Sequence, residues 1–175
     1  MNPSLQPRSL ALIGLSGAGK TTVSQLLAER LGFTLYDTDE LVVEAAGVSI
    51  PTIFATQGEA AFRAMEEGAV AFATFDRPAV IATGGGVVLS ENNRTLLRRS
   101  SFVVWLDAPD AELLARLRAD PVNRPLLAAD PVTQLATLRT VRGPLYAATA
   151  HMTLIVSGLS PDAIVDQIIA AYQES

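Results

Sequence analysis

The sequence predicts an α/β fold, a parallel sheet covered by helices on both faces. Three observations carry that prediction. Short apolar or β-branched runs alternate along the chain with stretches of helical periodicity. The strand runs are almost continuously apolar, as strands buried on both faces require. A glycine-rich stretch, 14–21, leaves the first strand and opens the first helix.

The elements follow in order. Residues 9–14 (SLALIG) read as the first strand, and 19–31 as a helix with Val23, Leu26, Leu27 and Leu31 on one face. Residues 33–36 (FTLY) form a short second strand. Helical patterns cover 40–46 and then 59–75, the latter after a Ser49-Ile50-Pro51 start in which proline suits a first turn. The third strand is 79–83, followed by a helix over 91–99 and a fourth strand at 102–106 (FVVWL). Residues 111–118 are helical, 120–130 form a Pro-rich loop, and 132–148 make a longer helix. A fifth strand at 152–156 and a helix over 161–172 close the chain. The 175 residues are expected to form one domain, with 1–7 as a loose tail.

Composition narrows the function. A chain that is 49% hydrophobic and 18% charged is not disordered. It has no membrane-length apolar run, no signal-peptide core and no cysteine, which fits a cytoplasmic protein without a membrane partner. A formal net charge of −5 argues against nucleic acid. Any anionic ligand must therefore be met by locally placed basic groups, of which only Lys20 is a lysine.

Gly14-Leu15-Ser16-Gly17-Ala18-Gly19-Lys20-Thr21 matches the phosphate-loop pattern G-x-x-x-x-G-K-[ST]. Its amides and the helix N-terminus suit phosphate oxygens, Lys20 the β- and γ-phosphates, and the Thr21 hydroxyl Mg²⁺. Asp37-Thr38-Asp39 follows the second strand at the same rim. If the backbone stays extended, both carboxylates face one side, one for Mg²⁺ and one for a substrate hydroxyl; otherwise the pair caps the next helix. The third strand ends at this rim in Gly84, Gly85 and Gly86, either as a positive-φ turn or to give a ligand room. His151 and Trp105 read as structural, Asp107 as a helix cap, and Glu66-Glu67 as a solvated helix face.

Along nearly its whole length the chain resembles a shikimate kinase. GLSGAGKTT, DTDELV, GEAAFRAME, VIATGGG, VVWLDA, NRPLL and RGPLY occur in that family's order and at about its spacing. The resemblance implies a phosphate-loop kinase of three α/β/α layers, with a five-stranded parallel sheet in order 2-3-1-4-5. It implies substrate-binding helices over 38–75 and a mobile lid at 119–131. It implies MgATP-dependent phosphorylation of the 3-hydroxyl of shikimate. Because no exposed apolar stripe stands out in the sequence, a monomer is expected.

Carried over by residue, Ser16, Gly17, Ala18, Gly19, Lys20, Thr21 and Thr22 would hold ATP, and Thr21 and Asp37 the metal. Asp39 would meet the acceptor hydroxyl and act as base. Arg63 and Arg142 would hold the carboxylate, with Gly84, Gly85 and Gly86 lining the pocket. Arg124 would close on the transferring phosphate, and Arg118 would lie near adenine. From the residues alone, Arg63 is equally an ion-pair partner of Glu59 and Glu66, and Arg142 equally a helix cap. Beside Arg63, the pKa of Asp39 is expected to fall. The family's Tyr-Glu is here Tyr146-Ala147, which removes a local ion pair. Alternatives are a gluconate or nucleoside monophosphate kinase, or a non-catalytic ligand-sensing domain of this build.

Overall fold

The computed structural model describes residues 8–75, 78–119 and 130–175. The loose tail expected at 1–7, Arg124 and most of the expected lid lie outside them. Five strands form one parallel sheet in the order β2-β3-β1-β4-β5. They are β1 (Ser9–Ile13), β2 (Thr34–Asp37), β3 (Ala79–Ala82), β4 (Ser101–Asp107) and β5 (Met152–Ile155). Every residue of β1 and β3 is buried, which explains their unbroken apolar character.

The helices are α1 (Lys20–Leu31), α2 (Thr38–Ala46), α3 (Ile50–Phe75), α4 (Glu91–Ser100), α5 (Asp110–Ala119), α6 (Pro131–Thr149) and α7 (Pro161–Gln173). Among the described residues, no single helix is long and apolar enough to cross a membrane.

Register sets the geometry of the rim. Leu12 of β1 and Asp37 of β2 both pair with Ala82 of β3. The connections that follow these three strands therefore leave from nearly the same level. In a parallel sheet, that level is the carboxyl edge, where ligands collect.

Three boundaries differ from expectation. Helix α2 starts at Thr38 instead of residue 40, because the Asp37 side chain caps it. Helix α3 starts at Ile50 and is broken at Gly58, whose φ of 83° and ψ of 172° are not helical. Helix α6 runs through Pro144 to Thr149, so Arg142 lies within it and does not cap an early end.

Two apolar clusters fill the interior. The larger one packs the sheet against α1, the later part of α3, α4, α5, α6 and α7. The smaller one, Val42, Ile53, Phe62 and Ala69, joins α2 to α3.

Candidate active site

Between β1 and α1 the chain turns through two left-handed glycines, Gly17 (φ 86°) and Gly19 (φ 90°). Gly19 caps α1 without any side-chain hydrogen bond, so the first amides of the helix are available to a ligand. Ser16, Gly17, Gly19, Lys20, Thr21 and Thr22 line a cavity of about 390 Å³; Ala18 is buried behind them. Lys20 Nζ donates to the carbonyls of Gly14 (2.8 Å) and Leu15 (3.0 Å). Burial lowers the Lys20 pKa to about 8, against the opposing pull of Asp39 and Asp37.

Asp37 and Asp39 line the same cavity, but not by strand alternation. Asp37 Oδ1 accepts from the Asp39 amide at 2.8 Å and the Glu40 amide at 3.3 Å. The cap bends the chain into α2, and Asp39 enters from its first turn. The capping and cavity-facing readings thus hold together. Asp39 also departs from its expected pKa. Burial first, then Asp37, push it above the ordinary carboxylate value, outweighing Lys20 and Arg63.

Gly84 and Gly85 form the opposite wall. None of Gly84, Gly85 and Gly86 has a positive φ, so a special turn is not the reason for the triplet. Steric room is. A Cβ on Gly84 would lie 2.7 Å from Asp39 Oδ1, and one on Gly86 would lie 2.6 Å from Arg63 Nη1. A Cβ on Gly85 would lie 3.4 Å from Arg142 Nη1. Each glycine accommodates one charged side chain, and the three charges gather around the end of β3.

Arg63 makes both expected ion pairs, to Glu59 at 3.3 Å and Glu66 at 2.8 Å. Glu66, however, is 1% exposed and does not belong to a solvated face. Burial raises its pKa, and Arg63 partly opposes the shift. Glu67 instead accepts from Ser90 at 2.5 Å, tying α3 to the start of α4. For Glu66 the sequence gives the Arg63 partner but not the burial, and Arg116 is the cavity residue it does not single out. The i+3 spacing of Glu66 from Arg63 was the available signal.

On the loop's other flank, Arg116 Nη1 donates to the Gly17 carbonyl at 3.2 Å and lines the cavity. Arg118 is exposed and does not line it. Asp107 is held by Arg139 at 2.9 Å rather than serving simply as a cap. His151 Nδ1 accepts from the Val103 amide at 3.0 Å, a structural role.

A phosphate loop on a five-stranded parallel sheet, with a carboxylate in the cavity and the Arg63 and Arg142 guanidinium groups on the glycine triplet beside it, defines a small-molecule phosphotransferase. The comparisons are more specific. The shikimate kinase family model matches residues 16–173. A shikimate kinase from Symbiobacterium thermophilum is 45% identical over 168 residues, 95% of this chain and 97% of that one. One from Neisseria meningitidis serogroup C is 47% identical over 83% of this chain and 85% of its own. The solved shikimate kinase of Acinetobacter baumannii, in complex with shikimate, superposes with a TM-score of 0.89 at 35% identity, covering 95% and 93% of the two chains. A gluconokinase from Sinorhizobium meliloti, at 18% identity and a TM-score of 0.54 over 96% and 93% of the chains, shares only the fold. The chain belongs to the shikimate kinase family.

Proposed function

We propose that this protein transfers the γ-phosphoryl group of ATP to the 3-hydroxyl of shikimate, giving shikimate 3-phosphate and ADP. In the cytoplasm this serves the route to chorismate and the aromatic amino acids. One observation carries the residue-level reading. Asp39, Arg63 and Arg142 each pack on one glycine of a single triplet, beside the cavity that Lys20 and Thr21 line.

In this reading the amides of residues 16–22 cradle the nucleotide phosphates, Lys20 bridges them, and Arg116 takes the nucleotide-side place expected of Arg118. Arg63 and Arg142 hold the acceptor carboxylate, for which planar guanidinium groups are well shaped. Arg63 Nε and Glu66 Oε1 are buried polar atoms without a hydrogen-bond partner among the described residues, which suits a polar ligand nearby. Asp39 aligns the 3-hydroxyl and takes its proton as the oxygen bonds to the γ-phosphorus and the bond to the ADP oxygen breaks. Its raised pKa makes it a better base than an ordinary aspartate.

Magnesium fits the donor set. Thr21 and Asp37 face the same cavity, and no group of three or more His, Cys, Asp or Glu residues that could hold a metal occurs among the described residues. A cation shared between phosphate oxygens, water and one or two protein oxygens needs no more. When bound, it neutralises phosphate charge.

The test is ATP turnover measured with shikimate, gluconate and nucleoside monophosphates in parallel. Turnover with shikimate alone is expected. Turnover with another acceptor, or with none, would overturn the reading. A pH profile adds a second expectation. Lys20 is charged below its pKa of about 8, so kcat/KM for ATP should fall above that pH. kcat should hold to higher pH, because bound phosphates keep the ammonium protonated. An ATP kcat/KM that stays flat to pH 10 would contradict this role.

A further inference from the structure

Tyr146 is fully buried, lies one turn beyond Arg142 on α6, and is absent from the roles assigned above. Its hydroxyl donates to the carbonyl of Gly85, the middle glycine of the triplet. The Arg142 guanidinium lies near the same hydroxyl and partly opposes the rise in its pKa. Its ring stacks on Trp105 of β4, with centroids 5.6 Å apart and planes 30° apart.

Physical need and geometry coincide here. Three consecutive glycines form the least restrained kind of backbone, yet this one must hold a fixed shape beside a carboxylate and two guanidinium groups. A trans peptide is planar, with C=O and N–H pointing in opposite directions. Holding the Gly85 carbonyl toward α6 therefore also aims the Gly86 amide the other way. Arg142 rests against the same glycine, its Nη1 3.4 Å from where a Gly85 Cβ would stand.

We propose that Tyr146 is a positioning residue for the acceptor pocket, its hydroxyl locking the Gly85–Gly86 peptide on which Arg142 rests. The inference rests on the kinase reading above. Burial pushes the Tyr146 pKa up to about 12, so the hydroxyl keeps its proton across the working pH range. The stack on Trp105 anchors the ring in the main core, which makes the tie rigid.

Tyr146→Phe retains the ring and removes only the tie. The KM for shikimate should rise about fivefold, the scale of one lost hydrogen bond between neutral groups, with the KM for ATP within about twofold. A shikimate KM within about twofold of wild type would overturn the inference. So would an equal rise in both KM values, which would mark a general loss of structure. Wild-type protein inactive on shikimate would instead sink the kinase reading itself.

A second measurement needs no variant. In the wild-type protein the buried Tyr146 hydroxyl proton should give a slowly exchanging NMR resonance that shifts on adding shikimate and not on adding ADP. A resonance unmoved by shikimate would also overturn the inference.

Discussion

Replacing Asp39 with Asn should lower kcat with shikimate by about 10²–10⁴-fold, the range for removing a positioned general base. Affinity for ADP, measured by calorimetry, should stay within about twofold. Asn keeps the shape and can still orient a hydroxyl, but it cannot take the proton. Stability should move the other way. The folded protein holds the Asp39 proton more tightly than the unfolded chain, since burial and Asp37 disfavour the charge. Ionising Asp39 therefore costs stability as pH rises from the ordinary carboxylate pKa to the raised one, and the cost persists above it. At pH 7 the variant should melt no lower than wild type. Near-normal turnover would remove Asp39 from the chemistry.

Gly84→Ala should be nearly as damaging, although it changes no functional group. The added methyl would stand 2.7 Å from Asp39 Oδ1 and 3.2 Å from Oδ2, too close for either atom to stay. The carboxylate is the mobile partner, so it gives way. Displacing a reacting group by about 1 Å costs on the order of 10²-fold in rate. The backbone itself accepts alanine, because Gly84 has no positive φ. Melting should therefore change little while kcat collapses. Gly143→Ala is the control: a methyl there meets nothing within 4 Å, and activity should be unaffected. Equal behaviour of the two variants would refute the steric account of the triplet.

The sheet was legible because its strands are uniformly apolar and its loops carry a phosphate-binding pattern; strand order came from resemblance, which local periodicity does not encode. Boundaries at Asp37 and Gly58 were harder. A side-chain cap brings the helix forward to Thr38, and a helical stretch from Ile50 precedes the break at Gly58. The charges at the site misled most. Glu66 follows a helical ion-pair spacing that suits solvent equally well, and only the folded structure reveals its burial. The Asp39 pKa was expected to fall beside Arg63, but burial, which sequence spacing does not report, outweighs that attraction. Tyr146 gave no signal beyond a motif, since its hydrogen-bond partner is 61 residues away.

The small cluster of Val42, Ile53, Phe62 and Ala69 stands apart from the main core. It joins α2 to α3 near Asp39 and Arg63, while Val70 and Ala73 tie the later part of α3 into the main core that underlies the phosphate loop. Mutations that reshape those four side chains can thus retune which acceptor is received while the grip on the nucleotide survives. Such a division lets evolution try new specificities on one half of the molecule without risking the other.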